Sequence, residues 1–90
     1  MVLKIKVENM QSSNGNDIPN QFIIKTEEGT YFQSYTSIIA FIPTNGKIQI
    51  GKNWDYSKTT GKYRNLFLGE TKEITKAKLD SGEYVLNQDL

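Results

Sequence analysis

Residues 53–64, Asn-Trp-Asp-Tyr-Ser-Lys-Thr-Thr-Gly-Lys-Tyr-Arg, hold the only tryptophan of the chain, two of its five tyrosines and three of its eleven cations. The chemistry on offer is recognition rather than bond-making. Aromatic rings beside arginine are the usual composition of interface hot spots. Rings beside cations also build platforms for single-stranded nucleic acid. What the chain lacks points the same way. It has no histidine and no cysteine, which removes the usual general base, the thiolate nucleophile and the commonest transition-metal ligands. A Ser-His-Asp system is excluded on the same ground. The carboxylates Asp17, Glu27, Glu28, Asp55 and Glu70 are scattered and read as turn, hairpin-tip and cap residues. There is no GxGxxG and no GxxxxGK[ST] phosphate loop. The reading is a protein that is not an enzyme, with no cofactor and no metal.

Helical spacing divides the 53–64 stretch. Asp55 is placed to cap a helix, since its carboxylate can accept from amides two or three residues on. Tyr56, Thr60, Tyr63 and Phe67 then share one stripe, which assigns Tyr56 and Tyr63 to the core, with Trp54 anchoring the helix start to a sheet. Ser57, Lys58, Thr59, Lys62 and Arg64 are left over once folding is accounted for. Together with Trp54 they are the candidate partner-binding residues. Gln33 and Tyr35, in the polar-aromatic run Phe32–Thr36, are a second candidate patch adjoining the Trp54 turn. Gly61 costs about 1 kcal/mol relative to alanine inside a helix. Either something approaches the backbone closely there or the helix is irregular.

The elements that must carry these residues follow from periodicity. Residues 2–8 put Leu3, Ile5 and Val7 on one side and Lys4, Lys6 and Glu8 on the other, a half-buried strand. Residues 9–20 are rich in turn formers and read as the longest loop. Residues 21–26 and 30–35 flank Glu27-Glu28-Gly29 as a hairpin. The apolar run 37–42 reads as a strand covered on both faces, followed by Asn45-Gly46 as a type I′ turn into a strand over 47–51. The first helix stops at Gly69. Thr71 caps a second, which Asp80-Ser81-Gly82 ends, and residues 83–88 form a last strand. The fold class is α+β, an antiparallel sheet of five or six strands packed against one or two short helices, in one domain over residues 1–90. A net charge of +1 gives no general attraction to nucleic acid or to acidic membranes. The charged, alternating N-terminus is too short for a signal peptide or a membrane span, so the cytosol is the expected location.

Several segments resemble a family of small proteins from phages and prophages of Gram-positive bacteria. They are Asn9-Met10, Asn14-Gly15, Ile18–Ile24, Phe32–Tyr35 with Ile39-Ala40, then Trp54–Ser57, Thr59-Thr60, Lys62–Arg64 and Phe67–Gly69, and finally Ser81–Tyr84. The resemblance spans nearly the whole chain, and the family is functionally uncharacterised. It implies an accessory protein made in the cytoplasm of an infected bacterial host. By association, such proteins bind and inhibit a host protein or complex, an anti-CRISPR or other anti-defence inhibitor being the most concrete version. The alternative is a nucleic-acid or nucleotide-binding module that sequesters its ligand, against which the near-zero net charge counts. A homodimer through an edge strand is compatible with either.

Overall fold

The computed structural model describes residues 4–90. Val2 and Leu3, at the head of the first expected strand, lie outside the described residues. The elements run β1 (Ile5–Gln11), β2 (Asp17–Thr26), β3 (Gly29–Ser34), β4 (Ser37–Pro43), β5 (Gln49–Gly51), α1 (Lys58–Leu68), α2 (Lys72–Ser81) and β6 (Val85–Asn87). The strands form one sheet in the order β1-β2-β3-β4-β5-β6. The first five pair antiparallel, and β6 pairs parallel to β5. The parallel pairing follows from the connection, because both helices carry the chain back across the sheet before β6 begins.

The longest expected loop is mostly strand. β1 continues to Gln11 and β2 begins at Asp17, leaving only residues 12–16 to turn. The Ser12 amide donates to the Asn16 carbonyl at 2.8 Å and the Gly15 amide to the Ser12 carbonyl at 2.9 Å. The polar residues that suggested a loop are used inside the ladder. Asn9 Nδ2 donates to the Ile18 carbonyl at 2.6 Å where the register shifts, and Gln11 Nε2 donates to Asp17 Oδ1 at 3.2 Å. The Asn45-Gly46 turn is not type I′ either. Only Gly46 has positive φ, at 102°, whereas that turn needs it at both positions. β5 is shorter than expected, Gln49–Gly51, with the Ile48 carbonyl just ahead of it accepting from the Val85 amide at 3.0 Å.

The helices cover one face of the sheet. Phe32, Ala40 and Ile50 are fully buried on that face, packed with Tyr84, Phe67, Leu68 and Leu79. Phe67 of α1 stacks on Phe32 of β3 with ring centroids 5.5 Å apart. β4 is therefore not sandwiched between two layers. Phe41, on its other face, is buried by its own sheet. It stacks on Tyr31 at 4.1 Å and lies over Gly29, where a Cβ would come within 2.7 Å of its ring.

Helix α1 starts later than Asp55. Ser57 is the N-cap, its Oγ accepting from the Thr60 amide at 3.1 Å. Two turns hold the preceding chain out of the helix, with Trp54 N–H donating to Gly51 at 3.2 Å and Tyr56 N–H to Asn53 at 3.1 Å. The buried helix stripe is Thr60, Gly61 and Arg64, not Tyr56 and Tyr63. Tyr63 is half-buried, and Tyr56, ahead of the helix, is 76% exposed. Thr60 meets the sheet at Ser34, their hydroxyl oxygens 3.0 Å apart. Gly69, with φ 70°, closes it. α2 is capped by Thr71, whose hydroxyl accepts from the Ile74 amide at 3.3 Å.

Candidate functional site

Because Ser57 caps α1 beside the β3–β4 turn, a groove of about 620 Å³ opens between them. Its floor is Ser34, Ile39 and Thr60, each almost fully buried. Ser34 Oγ and Thr60 Oγ1 are 3.0 Å apart, and Ser57 Oγ donates to Thr60 Oγ1 at 3.2 Å. Asn53, Thr36, Ser37 and Thr59 complete the lining, with Asn53 Nδ2 donating to Ser37 Oγ at 3.1 Å. Tyr35 and Tyr56 are the two aromatic members, 46% and 76% exposed.

Tyr35 is held in an unusual backbone conformation. Its φ is 56°, a region that bulky residues rarely occupy and keep only when the surroundings enforce it. Two contacts do so here. The Tyr35 amide donates to the Asn20 carbonyl at 2.7 Å, and Gln33 Nε2 donates to the Tyr35 carbonyl at 2.7 Å. Asn20 itself has φ 65°. The strained turn thus fixes where the phenol stands.

No lining residue carries a formal charge at neutral pH. The groove offers hydroxyls, one carboxamide and two exposed phenols. Such a set can hydrogen-bond a neutral polar segment and cover its apolar parts. It supplies no acid–base pair of side chains.

Of the residues singled out from the sequence, Tyr35, Ser57 and Thr59 line the groove, and Gln33 braces it from behind. Lys58 and Lys62 are exposed on α1, and Lys62 Nζ sits 5.3 Å over the Tyr63 ring. Trp54 is half-buried and packs against the core. Arg64 is not available to a partner, being 1% exposed. Its Nη1 donates to the Trp54 carbonyl at 2.6 Å, its Nη2 to Asn65 Oδ1 at 2.9 Å, and the guanidinium stacks 5.0 Å over the Trp54 ring. Asp55 Oδ1 lies 3.5 Å from Nη1, and Lys72 holds the other carboxylate oxygen at 2.8 Å. The non-helical turn at residue 54 leaves a carbonyl free, and Arg64 reaches back to it. Gly61 lies beside the same side chain, and a Cβ there would stand at an ordinary contact distance of 3.6 Å from Arg64 Nη2.

Sequence reasoning missed Tyr56, which it sent to the core, and Ser37 and Asn53 of the lining, whereas Ser34 lay within the candidate run Phe32–Thr36. A usable signal existed. Ser57 with Thr60 three residues on is a capping pattern, and it leaves Tyr56 outside the helix.

It also missed a closed polar cluster. Glu70, read as a turn residue, has a side chain only 6% exposed. Thr75 donates to its Oε2 at 2.6 Å, while Tyr84 and Lys78 donate to its Oε1 at 2.7 Å and 3.0 Å. Burial pushes this carboxyl upward, but the hydrogen bonds from Thr75, Tyr84 and Lys78 outweigh it, and the group titrates below its ordinary value. Burial and Glu70 together raise the Tyr84 phenol. Every donor comes from α2 or from Tyr84 just ahead of β6, so the cluster locks the α1–α2 joint to the end of the sheet. Among the described residues, no three carboxylates gather as a metal site, and no helix is long and apolar enough to cross a membrane.

The fold and groove together define a two-layer α+β domain with an uncharged, hydroxyl-lined surface cleft. The chain belongs to DUF8033, a family of unknown function, which it matches over residues 5–83. No curated protein and no solved structure matches it.

Proposed function

We propose that this chain is a non-catalytic binding protein whose groove receives an uncharged segment of a partner protein. The observation that carries this reading is the pair of exposed tyrosines over a neutral, hydroxyl-rich floor, one of them fixed in a strained turn. Tyrosine gives large contact area at low conformational cost and is common in recognition surfaces. The resemblance to phage and prophage proteins supports a more specific version. In it the partner is a bacterial host protein or complex met in the host cytoplasm, and binding inhibits it, with an anti-CRISPR or other anti-defence role the most concrete form.

Affinity capture from bacterial lysate, followed by calorimetry on the captured protein, tests the reading. Tyr56→Ala is expected to weaken binding by about 10-fold or more. Its exposure makes it dispensable for folding. Capture of no protein, or unchanged affinity of Tyr56→Ala and Tyr35→Ala, refutes it.

Lys58 and Lys62, exposed on α1, favour a second reading as a nucleic-acid binder. Arg64 is withdrawn into the core and no cation lines the groove, so this reading ranks lower. Retarded migration of single- or double-stranded nucleic acid at low salt, lost steeply as salt rises, would put it first.

A further inference from the structure

The sheet face away from the helices is largely apolar, and the residues of its three central rows carry no charge, with Lys47 at its border beside Gln49 and Val85. Cross-strand pairing defines it. Val7, Ile24, Tyr31, Phe41, Gln49 and Val85 are successive partners in one row across all six strands. Residues paired in this way share a face. A second row runs Ile5, Thr26, Gly29, Pro43, and a third Asn9, Phe22, Gln33, Ile38. Lys6, Glu8 and Lys25 fall on the opposite face, where Glu8 bridges Lys6 at 2.9 Å and Lys25 at 3.3 Å, while Asp17 pairs with Gln11 at the far end of the hairpin. A solvated sheet face ordinarily alternates the other way, with charge outward. Here Val7 is 61% exposed, Ile5 58% and Val85 44%.

We infer that two copies of the chain meet through this face, sheet against sheet, about a two-fold axis. Size and composition both argue for a second copy. Six strands spaced about 4.8 Å apart give a face roughly 24 Å across, about 20 Å long over β1–β4 and about half that over the short β5 and β6. That is on the order of 400 Å² per copy and about 800 Å² for the pair, the range of weak, concentration-dependent interfaces. Isologous contact sets each patch against itself. The uncharged central rows meet their own image without like-charge repulsion, while offering a foreign partner no electrostatic guidance. The apolar centre is rimmed by the carboxamides of Asn9, Gln33 and Asn87, the core-and-rim arrangement of known interfaces. Asn87 Nδ2 is already paired to Gln49 Oε1 at 2.8 Å, so that part of the rim can be buried at little cost. The groove lies on the helix side and stays open in such a pair.

Sedimentation equilibrium of the wild-type chain at roughly 100 µM, above the micromolar dissociation constants of modest interfaces, is expected to give twice the 10.3 kDa chain mass. Val7→Glu, which buries an unpaired charge in the pair but not in the single chain, should raise the dissociation constant at least about 100-fold. Lys6→Glu, one residue away on the other face, should leave it unchanged. The chain has no cysteine, so Ile24→Cys adds a single thiol that a bismaleimide should cross-link between copies. A wild-type chain that sediments as one copy at this concentration overturns the inference. So does a dimer that Val7→Glu leaves intact, since that would be strand-edge pairing.

Discussion

Arg64 and Glu70 are charged side chains that the protein uses for its own construction. Lysine at position 64 keeps the charge but loses the fork that reaches the Trp54 carbonyl and Asn65 together. Arg64→Lys is expected to cost about 1–3 kcal/mol, seen as a lowered thermal midpoint. A side chain serving only a partner would leave the midpoint where it was. Glu70→Gln keeps the shape and removes the charge, so stability should fall by about 1–3 kcal/mol near neutral pH. Its pH dependence has a definite sign. Because the Glu70 carboxyl titrates below its ordinary value in the folded chain, its contribution is complete above that ordinary value and drains away as pH falls through the folded one. Urea midpoints at neutral and acid pH should therefore lie closer together in Glu70→Gln than in the wild type. Neither role was legible from composition. A buried arginine looks like a surface cation until the free carbonyl that it answers is known, and that carbonyl exists only because residues 53–56 turn instead of coiling.

At the scale of elements, the start of α1 decides most of the site. Ser57→Ala removes the hydroxyl that accepts from Thr60 and should cost about 1 kcal/mol, whereas Asp55→Ala removes no cap. Gly61→Ala is expected to gain roughly 0.5–1 kcal/mol, because its Cβ would meet Arg64 at an ordinary contact distance of 3.6 Å. Denaturant titrations of the variants check both signs. The strands of the meander were legible because period-two alternation is local, and α2 was legible from Thr71 and Gly82 at its ends. The rotation of α1 about its own axis was not. Apolar counting favoured Tyr63 over Arg64 for the inner face, and the bonds from Arg64 to the Trp54 carbonyl and Asn65 reverse that choice. The hairpin between β1 and β2 was hidden for a different reason. Its asparagines and glutamine bond across the ladder, and composition cannot tell such residues from loop formers.

For the molecule as a whole, the carboxylates Glu8, Asp55 and Glu70 share a direction. Lys6 and Lys25 hold Glu8 below its ordinary value, and Lys72, against some burial, does the same for Asp55. Acid should therefore loosen the outer strand, the α1–α2 pair and the β6 joint over the same window, below the ordinary carboxylate range. The body measures 36 × 33 × 20 Å, thin in one direction because a single helical layer backs a single sheet. The sequence pattern carried the sheet and its helices. It could not show which side the helices would choose, since that depends on a crossover closing β6 onto β5.

The sheet order also sets a timetable. Each strand from β2 to β5 lies beside its predecessor in the chain, and short connections make loop closure entropically cheap. Only β6 waits, since residues 52–84 must be in place before it can dock. Refolding should therefore pass a barrier in which β2 and β3 are already paired and the Glu70–Tyr84 lock is still open. Ile23→Ala would then slow folding, and Tyr84→Phe would mainly hasten unfolding. Stopped-flow fluorescence of the single tryptophan can separate the two, since Trp54 sits where the late crossover begins.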